Sequence, residues 1–221
     1  MASDGRHPES VVFSTRENDA NRRDFTVNAL YWQPISGELY DPHEGEKDLN
    51  EKMIRFIGLP EVRVEHDALR MLRAIRFRSH INGQYHPDTF RTLHMMAENI
   101  RILSGTRICT ELEKMLLGPH PEIAFEDLWE TDILEYLLPE LHACRGVAQP
   151  AAMHGEGDVW NHILNITGSF TEDHDADVRW AALLHDIGKP ETFSIDHDRI
   201  RFNEHASVGA EISKRMLDRL Q

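Results

Sequence analysis

Cysteine is scarce. Cys109 and Cys144 are the two in 221 residues, and a pair so placed makes neither a disulfide framework nor a zinc-binding pattern. A reducing, cytoplasmic setting is therefore expected. Long apolar runs are also missing. The first thirty residues contain none, so neither a secretory leader nor a membrane span is expected. Glycine and proline, at 13 and 10 residues, are too few for a collagen-like or wholly disordered chain. No internal repeat or low-complexity segment is visible. Basic residues run short in the second half. Residues 1–110 carry 15 Lys and Arg against 16 Asp and Glu, a net of −1, whereas residues 111–221 carry 9 against 22, a net of −13. The total of −14 argues against a generally adhesive nucleic-acid binder, and any polyanion site belongs in the first half. What remains, 40% hydrophobic and 28% charged, is ordinary globular composition with room for one large or two small domains.

The most informative stretch that is present runs from Glu65 to Arg78, EHDALRMLRAIRFR. Wound as one helix at roughly 100° per residue, it puts Ala68, Leu69, Met71, Leu72 and Ile75 in one half of the wheel. Asp67, Arg70, Arg73 and Arg76 sweep through the other half. Arginine forks suit phosphate oxygens and base edges. A carboxylate with an arginine three residues later can present acceptor and donors side by side, which is what reading a nucleotide edge requires. A solvated helix face with an internal ion pair is the plainer reading of this stretch taken alone.

Upstream, RRDFTVNAL at 22–30 offers Arg22 and Arg23 to phosphate and Asp24 or Asn28 to a ribose hydroxyl, against a simple exposed turn into a helix. Residues 10–13 suggest a short strand, 30–32 and 38–40 a hairpin, and 41–48 a loop. Helices are expected over 87–99, with Phe90, Leu93, Met96 and Ala97 at core spacing, and over 106–117, with Ile108, Leu112, Met115 and Leu116 on one face. Two short helices follow, ending at Pro139. A pattern-poor stretch at 142–155 suggests a domain boundary. Beyond it come a helix capped by Asp158, another begun by Asp175 or Asp177 and ending at 188–190, a small hairpin over 195–202 and a last helix over 206–220.

The second half holds VRWAALLHDIGKP at 178–190. Fourteen His and seventeen Asp predict about one His-Asp pair by chance, and the chain has four, at His66, His174, His185 and His197. The third stands out because it ends an apolar helix, precedes Gly188 and Lys189, and has His162 on the helix before and His205 beyond. Imidazole with carboxylate binds divalent transition metals, or Mg²⁺ through the carboxylate, and such an ion can activate water against a phosphoester. A helix C-terminus where His185 meets the dipole accounts equally well for the spacing.

Taken together the motifs resemble the class II RNA nucleotidyltransferases, the bacterial CCA-adding enzyme and poly(A) polymerase family. RRDFTVNAL resembles the family's ribose-contacting motif, YDPHEGEKDL at 40–49 the segment after it, HDALRMLRAIRF at 66–77 the nucleotide-selecting helix and RICTELEKML at 107–116 a later helical motif. MHGEGDVWNHIL at 153–164 and LLHDIGKP at 183–190 resemble the HD phosphohydrolase domain that some members carry. The resemblance implies a mainly α chain: a partial α/β head remnant at 1–60, a helical neck and body at 61–145, and a helical, truncated HD domain at 146–221. It implies that Arg22 or Arg23 meets the triphosphate, Asp24 and Asn28 the sugar, Asp67 and Arg70 the base, and Arg73 and Arg76 phosphate or RNA. His162, His185 and Asp186 become metal ligands. Partners would be ATP or CTP with Mg²⁺ and the 3′ end of tRNA or another RNA, with a divalent transition metal at the HD site and no membrane.

Two departures accompany the resemblance. The residue before Asp67 is His66, where the family has glutamate. The glycine-rich segment and the strand with two Mg²⁺-binding aspartates are not found, nor is the last HD aspartate, so the chain is expected to be the interior of a longer protein and no catalytic residue is assigned. Part of a tRNA nucleotidyltransferase is the leading expectation. A metal-dependent HD phosphohydrolase and a non-catalytic RNA- or nucleotide-binding module are the alternatives.

Overall fold

The computed structural model describes residues 15–150 and 157–221. The strand expected over 10–13 lies outside them. The chain is mainly helical, with three two-stranded sheets among the described residues.

The first part is built from short pieces. Helix α1 (Arg16–Arg22) is capped by the Thr15 hydroxyl, which accepts from Asn18 N. A 3-10 turn (Thr26–Asn28) leads into the expected hairpin, β1 (Tyr31–Trp32) and β2 (Leu39–Tyr40), antiparallel with Tyr31 opposite Tyr40. The loop expected over 41–48 is instead mostly helix α2 (Gly45–Asn50). The Asp41 carboxylate accepts from Gly45 N at 2.7 Å and Glu46 N at 2.9 Å, satisfying two of the donors a helix start leaves open. Gly45 is required there, because a Cβ would stand 2.2 Å from Thr26 O. Asp48, buried, ties the two segments by accepting from the Thr26 hydroxyl at 2.7 Å and Arg55 Nε at 2.9 Å.

Strand β3 (Met53–Ile54) then leads into α3 (Pro60–His66) and α4 (Leu69–His80). The stretch expected to be one helix is thus two. Asp67 separates them in extended backbone, φ −159° and ψ 104°, and its carboxylate accepts from Leu69 N at 3.1 Å. A short acidic side chain that bonds local backbone competes with helix in this way. The apolar half of the wheel is borne out, since Ala68, Met71, Leu72 and Ile75 are buried and Leu69 packs against the same core.

Strand β4 (Gln84–Tyr85) pairs in parallel with β3. Helix α5 (Pro87–Met95) buries Leu93 but leaves Phe90 38% exposed, so the expected core role of Phe90 fails; its ring rests beside Tyr85 instead. A 3-10 segment (Ala97–Ile102) precedes α6 (Gly105–Leu116), whose Ile108, Leu112, Met115 and Leu116 are all buried. Helices α7 (Pro121–Glu130), α8 (Ile133–Leu137) and α9 (Pro139–His142) complete this part, and α4 packs against both α6 and α7.

The last part comprises α10 (Val159–Thr167), α11 (Ala176–Leu184), α12 (Lys189–Thr192), an antiparallel hairpin β5 (Phe193–Asp196) and β6 (Arg199–Phe202), and α13 (His205–Arg219). Asp158 and Asp175 cap α10 and α11 by accepting from Asn161 N and Val178 N. Helix α11 stops at Leu184, short of the expected 188–190, where α12 starts. Gly188 serves close packing. A Cβ there would meet His205 O at 2.2 Å and Gly209 N at 2.6 Å, so only glycine lets α13 approach. One cluster of buried apolar side chains runs continuously from Phe25 to Leu220.

A buried acid in this core sets a pH dependence. Asp127 accepts from the Tyr85 hydroxyl at 2.6 Å, with Arg78 Nη1 at 3.4 Å. Burial, opposed by Tyr85 and Arg78 and reinforced by Glu130 and Glu126, pushes the carboxyl up to about 6. The folded chain thus holds this proton more tightly than the unfolded chain does. The contribution is fullest below the ordinary carboxylate range and is lost as pH rises through about 6. Asp127→Asn keeps the acceptor for Tyr85 and cannot ionise. Relative to the parent, it should gain about 2–3 kcal/mol of stability between pH 4 and pH 7 in urea unfolding. A stability difference that stays flat with pH would remove Asp127 as the cause.

Candidate functional site

Two clusters of polar side chains answer to the motifs. The first lies where the segment after α1 meets the start of α4. A polar cavity of about 520 Å³ is lined by Arg23, Asp24, Asn28, Asp67, Leu69, Arg70, Arg73 and Phe77. Asp24 organises its floor. Its Oδ2 receives Arg73 Nε at 2.7 Å, and its Oδ1 receives Phe25 N at 2.9 Å and Asn28 Nδ2 at 3.0 Å. Burial opposes ionisation of Asp24, but the Asn28 and Arg73 contacts outweigh it and hold the carboxyl below its usual range. Arg23 is gripped by Asp19 at 2.9 Å, and Asp19 also accepts from the Tyr31 hydroxyl at 2.6 Å. Arg70 Nη1 donates to Arg63 O at 3.0 Å, at the end of α3.

Not every residue singled out by the sequence arrives here. Arg22 pairs with Asp19 and does not line the cavity. Arg76 donates through Nε to Glu111 at 2.7 Å; Glu111 is buried and also receives Lys114 at 3.0 Å. The Arg76 guanidinium thus fastens α4 to α6, with its own side chain only 18% exposed. Nor do Asp67 and Arg70 pair with each other. Asp67 is held by Arg107 Nη2, at 3.0 Å and 2.9 Å from its two oxygens. Asp19 was readable as an i+3 and i+4 partner of Arg22 and Arg23, whereas nothing local points from Arg107 to Asp67, 40 residues earlier.

The second cluster joins α10 to the end of α11. Ligand-capable atoms of His162, His185 and Asp186 lie within 4.8 Å of one another. Asp186 Oδ2 stands 3.1 Å from His185 Nε2 and 3.7 Å from His162 Nε2. The His185 Nδ1 lies 2.7 Å from Ala182 O, an acceptor, which places a proton on Nδ1 and turns Nε2 toward Asp186. Lys189 Nζ is 2.6 Å from the same Oδ2 and donates to Gln149 at 2.6 Å. Burial works against ionisation of Asp186, yet His185 and Lys189 prevail and hold it down to about 2. Burial likewise opposes a charged His185, and the Asp186 contact overcomes it, raising His185 above its ordinary value. Asp186 Oδ2 is buried, with His162, His185 and Lys189 converging on it. Two imidazoles around such an oxygen fit a divalent cation. His205 Nε2 stands 3.9 Å from the other Asp186 oxygen, a little beyond that cluster.

Three family models match the chain in succession: the Poly A polymerase head domain at residues 1–55, the probable RNA and SrmB-binding site of polymerase A at 84–145, and the HD domain at 143–221. The multifunctional CCA protein of Pasteurella multocida (strain Pm70) is 36% identical over 184 residues, 78% of this chain and 43% of that protein. The chain belongs to the bacterial CCA-adding enzyme and poly(A) polymerase family. A second relative, the multifunctional CCA protein of Pseudomonas syringae pv. syringae (strain B728a), is 34% identical over 200 residues, 88% of this chain and 48% of its own length. This family member thus spans about half the length of the curated relatives it matches. Its fold matches the Bacillus stearothermophilus CCA-adding enzyme in complex with CTP at TM-score 0.63 and 26% identity, covering 93% of this chain and 46% of that one. The Thermotoga maritima CCA-adding enzyme complexed with tRNA shares the fold at TM-score 0.60 and 24% identity. The nucleotidyltransferase and HD families are both metal-dependent. Among the described residues, no helix is long and apolar enough to cross a membrane.

Proposed function

We propose that this chain is the nucleotide-selecting and RNA-holding part of a tRNA nucleotidyltransferase, acting in CCA or poly(A) addition to RNA 3′ ends. One observation carries the reading: six of the eight side chains expected to meet the nucleotide line a single polar cavity. Arg23 and Arg73 suit the triphosphate, Asn28 the sugar, and Asp67 with Arg70 the hydrogen-bonding edge of the base. Arg22 and Arg76 drop out of the proposed set, because neither lines the cavity. Nucleotide transfer in this reading uses Mg²⁺ with ATP or CTP.

Arg70→Ala tests the reading by calorimetric titration with ATP, CTP, GTP and UTP. Losing a two-pronged base contact costs about 1–3 kcal/mol, so binding should weaken roughly tenfold or more and the preference among bases should change. A uniform loss across all four nucleotides would assign Arg70 to phosphate and remove the base-reading role.

A second reading concerns the HD cluster. The buried Asp186 carboxylate set between the His162 and His185 imidazoles favours a site for Mn²⁺, Co²⁺ or Ni²⁺. An ion held by His162, His185 and Asp186 would supply an activated water for phosphoester hydrolysis. Metal-dependent release of phosphate, absent in His185→Ala, would support this second activity. Binding of nucleotide without turnover at either cluster would leave a binding module.

A further inference from the structure

Three groups converge on Asp186 Oδ2, and the nearest is not an imidazole. Lys189 Nζ lies 2.6 Å away, against 3.1 Å for His185 Nε2 and 3.7 Å for His162 Nε2. A tight turn brings the pair together, with Lys189 N donating to Asp186 O at 3.0 Å. The ammonium is held on its other sides too. Its side chain is 7% exposed. Gln149 Oε1 accepts from it at 2.6 Å, and the Phe202 ring centroid is 5.3 Å from Nζ. Gln149 is itself fixed, its Nε2 donating to Asp158 O at 3.2 Å. A buried ammonium needs a compensating anion. Gln149 and Phe202 are neutral, so the compensation comes from Asp186.

We propose that Lys189 is a built-in cation that competes with a divalent ion for the Asp186 carboxylate and so weakens metal binding at the HD cluster. The inference rests on the metal-site reading of that cluster. An ion held by His162, His185 and Asp186 uses the same carboxylate that balances Lys189. Two cations that share one buried carboxylate repel each other more strongly than they would in water. The lysine also gives up part of its ion pair when the ion binds. Both effects set the affinity below what two imidazoles and an uncontested carboxylate would give. The lysine stays charged throughout, and its place beside Gln149 and Phe202 keeps it close enough to compete.

The test is calorimetric titration of the full chain with Mn²⁺ and with Ni²⁺. It compares the parent, Lys189→Gln, Lys189→Met, Lys189→Arg and His185→Ala. Glutamine and methionine remove the charge, whereas arginine keeps it. Melting curves in EDTA check that each chain is folded, and glutamine, which can still donate to Asp186, carries the comparison if methionine unfolds the chain. The neutral variants should bind the ion about tenfold or more tightly than the parent, and Lys189→Arg should stay within about threefold of it. In EDTA, Lys189→Gln should melt below the parent, because Asp186 has lost its counter-charge. Added ion should raise its melting temperature by more than it raises the parent's. Binding seen only in the neutral variants would be the strongest form of the expected result. Suppose instead that the parent binds, His185→Ala does not, and the neutral variants bind no more tightly than the parent. Lys189 is then a support for the carboxylate, and the inference is overturned while the metal reading stands. Binding absent from the parent and both neutral variants, or undiminished in His185→Ala, would end the metal reading and the inference with it.

Discussion

Asp186→Ala should lower the melting temperature by roughly 10 °C, through a loss of about 3–5 kcal/mol from breaking a buried ion pair. The reason is Lys189. Its ammonium is 2.6 Å from Asp186 and its side chain is 7% exposed. Without the carboxylate, Gln149 remains as its hydrogen-bonded acceptor. An uncompensated buried charge is what makes removal of one partner more damaging than removal of both. The double variant Asp186→Ala/Lys189→Met should therefore recover much of the loss. The same substitution removes the proposed metal ligand. Mn²⁺ or Ni²⁺ at about a hundred times the dissociation constant should stabilise the parent by about 2.7 kcal/mol, and should give Asp186→Ala and His185→Ala nothing. Melting curves with and without metal read both effects. An Asp186→Ala chain as stable as the parent would show that Lys189 is not held by this pair. Equal metal stabilisation in all three chains would place the ion elsewhere.

Arg179→Met should destabilise the chain by about 3–5 kcal/mol, more than an ordinary surface change by an order of magnitude. Arg179 is 5% exposed and belongs to α11, in the region matched by the HD model. Its guanidinium donates to three carbonyls: His174 at 2.9 Å, Thr171 at 2.6 Å and Leu116 at 2.5 Å. Leu116 is the last residue of α6, in the region matched by the polymerase A model at 84–145, so the contact fastens one region to the other at the negative end of a helix dipole. Methionine fills the space and satisfies none of the three acceptors. Lysine can reach one or two of them and should lie between. Urea unfolding measures the change as a shift in midpoint at constant slope. An Arg179→Met midpoint within about 0.5 kcal/mol of the parent would mean that solvent replaces these contacts freely and that the junction depends on apolar packing alone.

The two contacts show where reading the sequence succeeds and where it stops. Arg179 sits inside VRWAALLHDIGKP, a segment whose apolar pattern and final His-Asp pair were legible, yet nothing local points to Leu116, 63 residues earlier. Asp186 and His185 were separable from three other His-Asp pairs because an apolar helix, a glycine and a lysine surround them. Their Lys189 partner was visible as a residue but not as a buried one.

The sequence by itself determined the buried faces, the caps and the family. Periodicity marks Met71, Leu72 and Ile75 as one apolar side of α4, and the side chains of Asp158 and Asp175 find donors three residues away. These are local effects, set by the helical repeat and by short side chains beside free N–H groups. The start of α2 after Asp41 and the helix break at Asp67 are local as well, each carboxylate accepting from backbone N–H groups two to five residues on. Only the tertiary structure decided which partner each charged group takes. Arg73 went to Asp24, Arg76 to Glu111 and Asp67 to Arg107. A guanidinium on a flexible stem can reach several carboxylates, and their distances depend on how the segment after α1 packs with α4 and α6. That packing comes from burial of apolar faces, which is non-directional and leaves the ionic pairing to the final geometry.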